Sequence, residues 1–180
     1  EPVTDVANYI KLGSVLPDAN MAWRNDFRWR NFNFGFMVSA RLGGVVFSRT
    51  QSMLDYYGVS EATAAARDAG GVMINGNDLV DANKWYTAIG GGNSVPQYYT
   101  YSATNVRLQE ASIGYTIPKK TLGDICEITL SLVGRNLWMI YNKAPFDPET
   151  IATTGNYYQG VDYFMSPSMR NIGFNLRVKF

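Results

Sequence analysis

RNIGFNLRVKF, residues 170–180, alternates without a break: Ile172, Phe174, Leu176, Val178 and Phe180 on one parity, Asn171, Gly173, Asn175, Arg177 and Lys179 on the other. A period of two is the signature of a strand with one apolar and one polar face. The same pattern recurs upstream. Phe32, Phe34, Phe36, Val38, Ala40 and Leu42 alternate with Asn33, Gly35, Met37, Ser39 and Arg41, and Cys126, Ile128, Leu130 and Leu132 with Glu127, Thr129 and Ser131. In 105–117 the phase changes, since Val106 and Leu108 share one parity and Ala111, Ile113, Tyr115 and Ile117 the other. That predicts a β-bulge near Gln109 and Glu110. Weaker alternation over 6–15 and 45–53 brings the expected total to about six strands, near the length that crosses a bilayer at a steep tilt.

The connections alternate in length. Gly43-Gly44 and residues 118–124 read as tight turns, whereas 54–103 and 136–169 are long. Short turns at one end and long loops at the other are the pattern of outer-membrane barrels, and place the last residue at the periplasmic end. The first long loop is expected to hold its own helices. Ser60 is placed to cap one through Arg67, and Asp81 to begin another closed by Gly90-Gly91-Gly92. A long loop with internal structure is usually functional.

Composition points the same way. Aromatics form 14% of the 180 residues, with 12 Tyr, and charged residues only 17%. No stretch approaches the roughly 18 apolar residues of a spanning helix, so any membrane crossing must use strands. A net charge of +1 gives no electrostatic case for nucleic acid. With no His and the single Cys126, an internal disulfide, the usual zinc sites and a Ser-His-Asp centre are excluded. No catalytic residue, metal or cofactor is expected, and Asp147 and Glu149 around Pro148 read as loop structure rather than an acid/base pair.

Alternation alone does not say which face is buried, because a β-sandwich shows it too. Two features favour lipid. The polar parity is rich in Gly, Asn, Ser and Arg, as a wet or plugged lumen requires, with Arg41, Arg107, Arg135 and Arg177 as the expected lumen charges. The chain also ends on Phe180, an aromatic suited to an interfacial girdle. About six strands do not close a barrel, whose smallest members have about eight. The remaining strands are therefore expected upstream of Glu1.

Several motifs together resemble the C-terminal end of SusC/RagA-type TonB-dependent transporters. They are Leu54-Asp55-Tyr56-Tyr57-Gly58-Val59-Ser60 followed by Ala66-Arg67-Asp68 and Gly70-Gly71-Val72; then Ala103-Thr104-Asn105-Val106-Arg107-Leu108; Gly134-Arg135-Asn136-Leu137 leading to Lys143-Ala144-Pro145-Phe146-Asp147-Pro148-Glu149; and Tyr158-Gln159-Gly160 with Asp162-Tyr163-Phe164. The likeness runs from about residue 17 onward. It implies an all-β fold in which residues 1–180 are one C-terminal segment of an outer-membrane barrel of roughly 22 strands with a plugged lumen. It further implies import of an oligosaccharide or a peptide, a SusD-like surface lipoprotein as partner, and TonB coupling through an N-terminal plug region that this sequence does not contain. The competing readings are a secreted, aromatic-rich β-sandwich that binds carbohydrate and, less well supported, an enzyme.

The loop aromatics Trp85, Tyr86, Tyr98, Tyr99, Tyr101, Tyr157 and Tyr158 are the candidates for ligand or lid contact, because aromatic faces stack on sugar or peptide surfaces. For most of them, folding the loop is the plainer role. Phe174, Leu176, Val178 and Phe180 resemble the terminal signal read by the barrel-assembly machinery. Deleting Phe180 from the full-length protein is expected to lower the amount of surface-assembled barrel, measured by outer-membrane fractionation; undiminished assembly would count against that role.

Overall fold

In the computed structural model, which describes residues 7–153 and 155–180, the alternating runs form long antiparallel strands. In chain order the elements are β1 (Ala19–Trp29), β2 (Phe32–Leu42), β3 (Val45–Ser48), α1 (Arg49–Tyr56), α2 (Glu61–Asp68), β4 (Val72–Ile74), β5 (Asp78–Val80), α3 (Ala82–Ile89), α4 (Pro96–Tyr99), β6 (Thr100–Ser102), β7 (Asn105–Ile117), a 3-10 turn (Lys119–Leu122), β8 (Glu127–Asn142), β9 (Val161–Asp162) and β10 (Asn171–Lys179). They fall into two compact units. The described residues of 17–43, 103–149 and 167–180 form a sheet unit, and those of 1–16, 44–102 and 150–166 form a loop unit.

The sheet unit is one five-stranded antiparallel sheet in the order β1-β2-β7-β8-β10. Directly opposed residues share a face, so the register shows where the apolar parity goes. Phe27 opposes Phe34, Phe34 opposes Ile113, Ile113 opposes Leu132, and Leu132 opposes Phe174. One apolar row thus crosses all five strands. Aromatic pairs reinforce it, with Trp23 edge-on to Phe36 at 5.5 Å and Phe32 edge-on to Tyr115 at 4.9 Å. Each such cross-strand pair contributes roughly 0.2–1 kcal/mol.

The predicted bulge is present. Met37 opposes Glu110 and Val38 opposes Leu108, which leaves Gln109 out of register. The extra residue absorbs the phase change, so Val106 and Leu108 lie on the same face as Ala111, Ile113 and Tyr115. On β8 the matching irregularity falls between Arg135 and Trp138. Asn136 there is left-handed at φ 51°, a conformation Asn tolerates better than most residues.

Several expectations need correction. The sheet has five long strands rather than about six. The strand expected over 6–15 is not found among its described residues 7–15, and Val6 lies outside the described residues. In its place β1 joins the sheet. Its apolar parity is broken by Asn25, and its turn to β2 is Arg30-Asn31, with Arg30 at φ 53°, where hairpins usually place Asn or Gly. The strand expected over 45–53 stops at Ser48, whose hydroxyl accepts from the Gln51 N–H and starts α1. Gly43-Gly44 is therefore not a hairpin: β3 pairs with β6 and β9, not with β2. The second long connection begins after Asn142 rather than at Asn136, because the Asn136 kink is absorbed inside β8. Even so, short links (residues 30–31 and 118–126) lie at one end of the sheet and long connections leave from the other.

The loop unit is built by different means. A small sheet in the order β6-β3-β9 carries four short helices around a core of Val46, Ile89 and Tyr99. Both long connections contribute, since β3 pairs in parallel with β9. The buried Ser48 hydroxyl donates to Asp162 at 2.7 Å, and the Phe164 N–H donates to the Thr50 hydroxyl. The two helices read from sequence are both present. Ser60 accepts from the Thr63 N–H to cap α2, and Asp81 accepts from the Lys84 N–H to cap α3, which ends at Gly90. Replacing Ser60 with Ala is expected to cost about 1 kcal/mol of local stability. Hydrogen exchange in the full-length protein should show faster exchange across Glu61–Asp68 and none in β7 or β8.

Candidate functional site

The two faces of the large sheet carry opposite chemistry. On the apolar face Trp29 and Phe174 remain about 70% exposed (68% and 70%), and Trp23, Phe27, Ile113, Leu132 and Leu176 are also open. An apolar field spanning every strand far exceeds the scattered exposure normal for soluble surfaces. On the other face the polar parity is knitted laterally. Asn33 donates to Thr116 at 3.1 Å, Thr116 and Thr129 share a hydrogen bond, and Glu110 lies between Arg24 at 3.5 Å and Arg135 at 3.1 Å. Arg28, Asn33, Thr116, Thr129 and Arg177, one from each strand, line a single concavity. The polar face is therefore cupped. Near the short-turn end Arg28, Arg30, Arg177 and Lys179 outnumber Glu127 around it.

Of the four arginines expected on a wetted wall, Arg177 lines this concavity and Arg135 pairs with Glu110 on the same face. Arg107 does not match that expectation. It is 4% exposed and donates to Asp147 at 2.8 Å, with Glu149 at 3.4 Å. Asp147 also accepts from the N–H groups of Glu149 and Ser168. Burial pushes the Asp147 carboxyl up, but the hydrogen bonds from Ser168, Arg107 and Glu149 outweigh it and hold its pKa below the usual carboxylate value. These carboxylates thus act as loop structure, anchoring the connection after β8 to β7. Asn142 continues the anchor by donating to the carbonyls of Ala144 and Phe146.

The loop aromatics separate into two groups. Tyr99 is 1% exposed and is core, and Tyr86 and Tyr101 are half-buried near it. Burial, and then the neighbouring Asp55 charge, raise the pKa of all three, so they are neutral hydroxyls. Trp85 packs edge-on to the exposed Tyr98, and the exposed Tyr157 edge-on to Tyr158. Tyr163 stands likewise against Phe164. Phe174, Leu176, Val178 and Phe180 are all exposed, the first three on the apolar face of the edge strand β10.

Of the aromatics chosen from sequence, Tyr86 alone lines a cleft among α1, α2 and α3, together with Asp55, Tyr56, Tyr57, Arg67 and Asn83. The Leu54–Ser60 and Ala66–Asp68 motifs supply most of the rest, and they converge with α3 through tertiary packing. Asn75 and Asn77 sit in the turn between β4 and β5, with Asn75 and Gly76 left-handed.

No protein-family model matches the chain. Two TonB-dependent receptors of Formosa agariphila do match it. Receptor P3 is 25% identical over 177 residues, covering 94% of this chain and 17% of its own length. Receptor P26 is 26% identical over 182 residues, covering 95% and 18%. Among solved structures, the RagAB peptide importer in its open-open state superposes with a TM-score of 0.66 at 15% identity, over 93% of this chain and 18% of that one. The chain thus spans less than a fifth of the proteins it matches.

The Arg107–Asp147 anchor generates a pH prediction. A folded pKa below the unfolded value of about 4 gives stability that is present above pH ~4 and lost as pH falls through the folded value. Protection of residues 143–149 in rate-corrected hydrogen exchange should fall accordingly. Asp147→Asn should weaken the segment by about 1.5–3 kcal/mol at neutral pH and remove the acid step.

Proposed function

We infer, for a chain whose kinship is with SusC/RagA-type TonB-dependent transporters, that it forms part of the wall of an outer-membrane β-barrel that imports oligosaccharides. One observation carries this reading: the large sheet is cupped on its polar face and presents exposed aromatics and aliphatics on the other. A soluble β-sandwich would turn that apolar face inward against a second layer, whereas here it stays open. In lipid the arrangement is the low-energy one, because the greasy parity meets acyl chains and the polar parity meets water or a plug. Both outer strands, β1 and β10, would leave unpaired backbone groups that hydrocarbon does not tolerate. Further strands must therefore flank the sheet, in keeping with a barrel of roughly 22 strands. In this reading residues 1–180 belong to one barrel domain, and its long connections are the external loops.

Tyr98, packed against the half-buried Trp85, and the exposed pairs Tyr157/Tyr158 and Tyr163/Phe164 supply contact area for a SusD-like lipoprotein or for cargo. TonB coupling belongs to polypeptide outside this chain. The chain carries no catalytic role in this scheme. Peptide is the second cargo, favoured by the peptide importer among the similar structures.

The wall reading makes a sharp prediction about the two faces. In the full-length protein Phe34→Arg, on the apolar face, is expected to cost roughly 2–4 kcal/mol and lower the folded outer-membrane population, whereas Asn175→Arg on the polar face costs close to nothing. Heat-modifiability on gels after outer-membrane fractionation reads both. A detergent-free, soluble protein, or equal tolerance of the two substitutions, would overturn the reading.

A further inference from the structure

The cleft among α1, α2 and α3 encloses about 240 Å³, below the roughly 300–1,000 Å³ of drug-sized sites, so it suits about one small ring. Its chemistry is unusual for a structural gap. Asp55 is 5% exposed, yet among the described residues no Lys or Arg lies within ion-pair distance of it. Its one aligned side-chain hydrogen bond comes from the neutral Gln51 amide, at 2.8 Å to Oδ1. The buried Tyr99 hydroxyl lies beside it as a second neutral donor, and the neighbouring carboxylate helps to keep that hydroxyl protonated. Two neutral donors leave a carboxylate without a counter-charge and with lone pairs to spare, so it can accept from a further donor. The cleft it lines is where such a donor would enter.

The other lining groups restrict what the donor is. Arg67 commits Nη1 to the Gly58 carbonyl at 2.8 Å and keeps further N–H groups to donate. The Asn83 side-chain amide is exposed, has no hydrogen-bond partner among the described residues, and offers both a donor and an acceptor. Tyr56 and Tyr57 stand edge-on to each other at 5.2 Å, both with exposed rings. A cationic ligand would meet Arg67 and an anionic one Asp55. A neutral ring rich in hydroxyls satisfies every group at once: its O–H hydrogens donate to Asp55, its oxygens accept from Arg67 and Asn83, and its C–H face lies on a tyrosine.

We propose that this cleft binds one neutral sugar ring of a glycan, with Asp55 as the central hydroxyl acceptor, Asn83 and Arg67 as donors, and Tyr56 or Tyr57 as the stacking platform. The source of the glycan rests on the import reading; the site itself rests on the cleft.

The test uses the full-length protein in detergent micelles, probed with cello-, xylo-, manno- and galacto-oligosaccharides and with tetraalanine. Saturation-transfer NMR is expected to show at least one oligosaccharide bound and tetraalanine not. Asp55→Asn should weaken the bound sugar about tenfold or more. Asn83→Ala and Tyr57→Ala, at exposed positions that leave the core intact, should weaken it several-fold, and Tyr98→Ala should leave it unchanged. No saccharide bound, tetraalanine competing for the site, or Asp55→Asn and Asn83→Ala both binding as the parent would each overturn the proposal. Fractionation of the same cells reads the barrel separately: outer-membrane retention without sugar binding removes only the cleft, and sugar binding by a soluble protein removes only the import reading.

Discussion

Everything in the large sheet depends on keeping one parity of side chains on one face. Because the strand period is two, a slip of one residue would move Phe34, Ile113, Leu132 and Phe174 together to the polar side. The sheet defends its register at the place where the sequence would otherwise break it. Gln109 drops out of the ladder, and the halves of β7, written in opposite phase, then present the same face. On β8 the left-handed Asn136 performs the matching adjustment. A bulge also strengthens local twist, in accord with the cupping of the polar face.

The loop unit obeys another logic. Its pieces are too short to be held by pairing or propensity, since isolated helices of this length are marginal in water. They are held by caps and by buried polar bonds. The Ser48 hydroxyl accepts from the α1 backbone and donates to Asp162 in β9, so one side chain ties the two long connections together. In the sheet unit, Arg107 and Asp147 similarly fasten a loop to a strand end. Removing one member of such a buried pair costs more than the pair contributes, because the other charge is left stranded.

The carboxylates show how burial assigns roles. Asp147 and Asp55 are both sheltered, but Asp147 has a guanidinium and two backbone N–H groups, whereas Asp55 has only neutral donors, the Gln51 amide and the Tyr99 hydroxyl. The first is a completed structural bond. The second has unused acceptor capacity and faces a cleft lined by donors and tyrosine rings, which is the chemistry of a binding group.

Sequence alone determined the strand periodicity in β2, β7, β8 and β10, the bulge at Gln109, the two capped helices after Ser60 and Asp81, and the likeness to TonB-dependent transporters. These rest on local rules: parity, capping and turn chemistry act within a few residues. It did not show β1, where Asn25 interrupts the apolar parity and an arginine occupies the turn, nor that the run after Val45 leaves the sheet at Ser48 to become a helix. It placed Tyr99 among contact residues, although packing makes it core. Only tertiary structure decided which charges are buried, which tyrosines stay open, and that Asp55, Arg67 and Asn83 share one cleft. Burial and convergence are sums over residues distant in the chain, and no short window of sequence contains them.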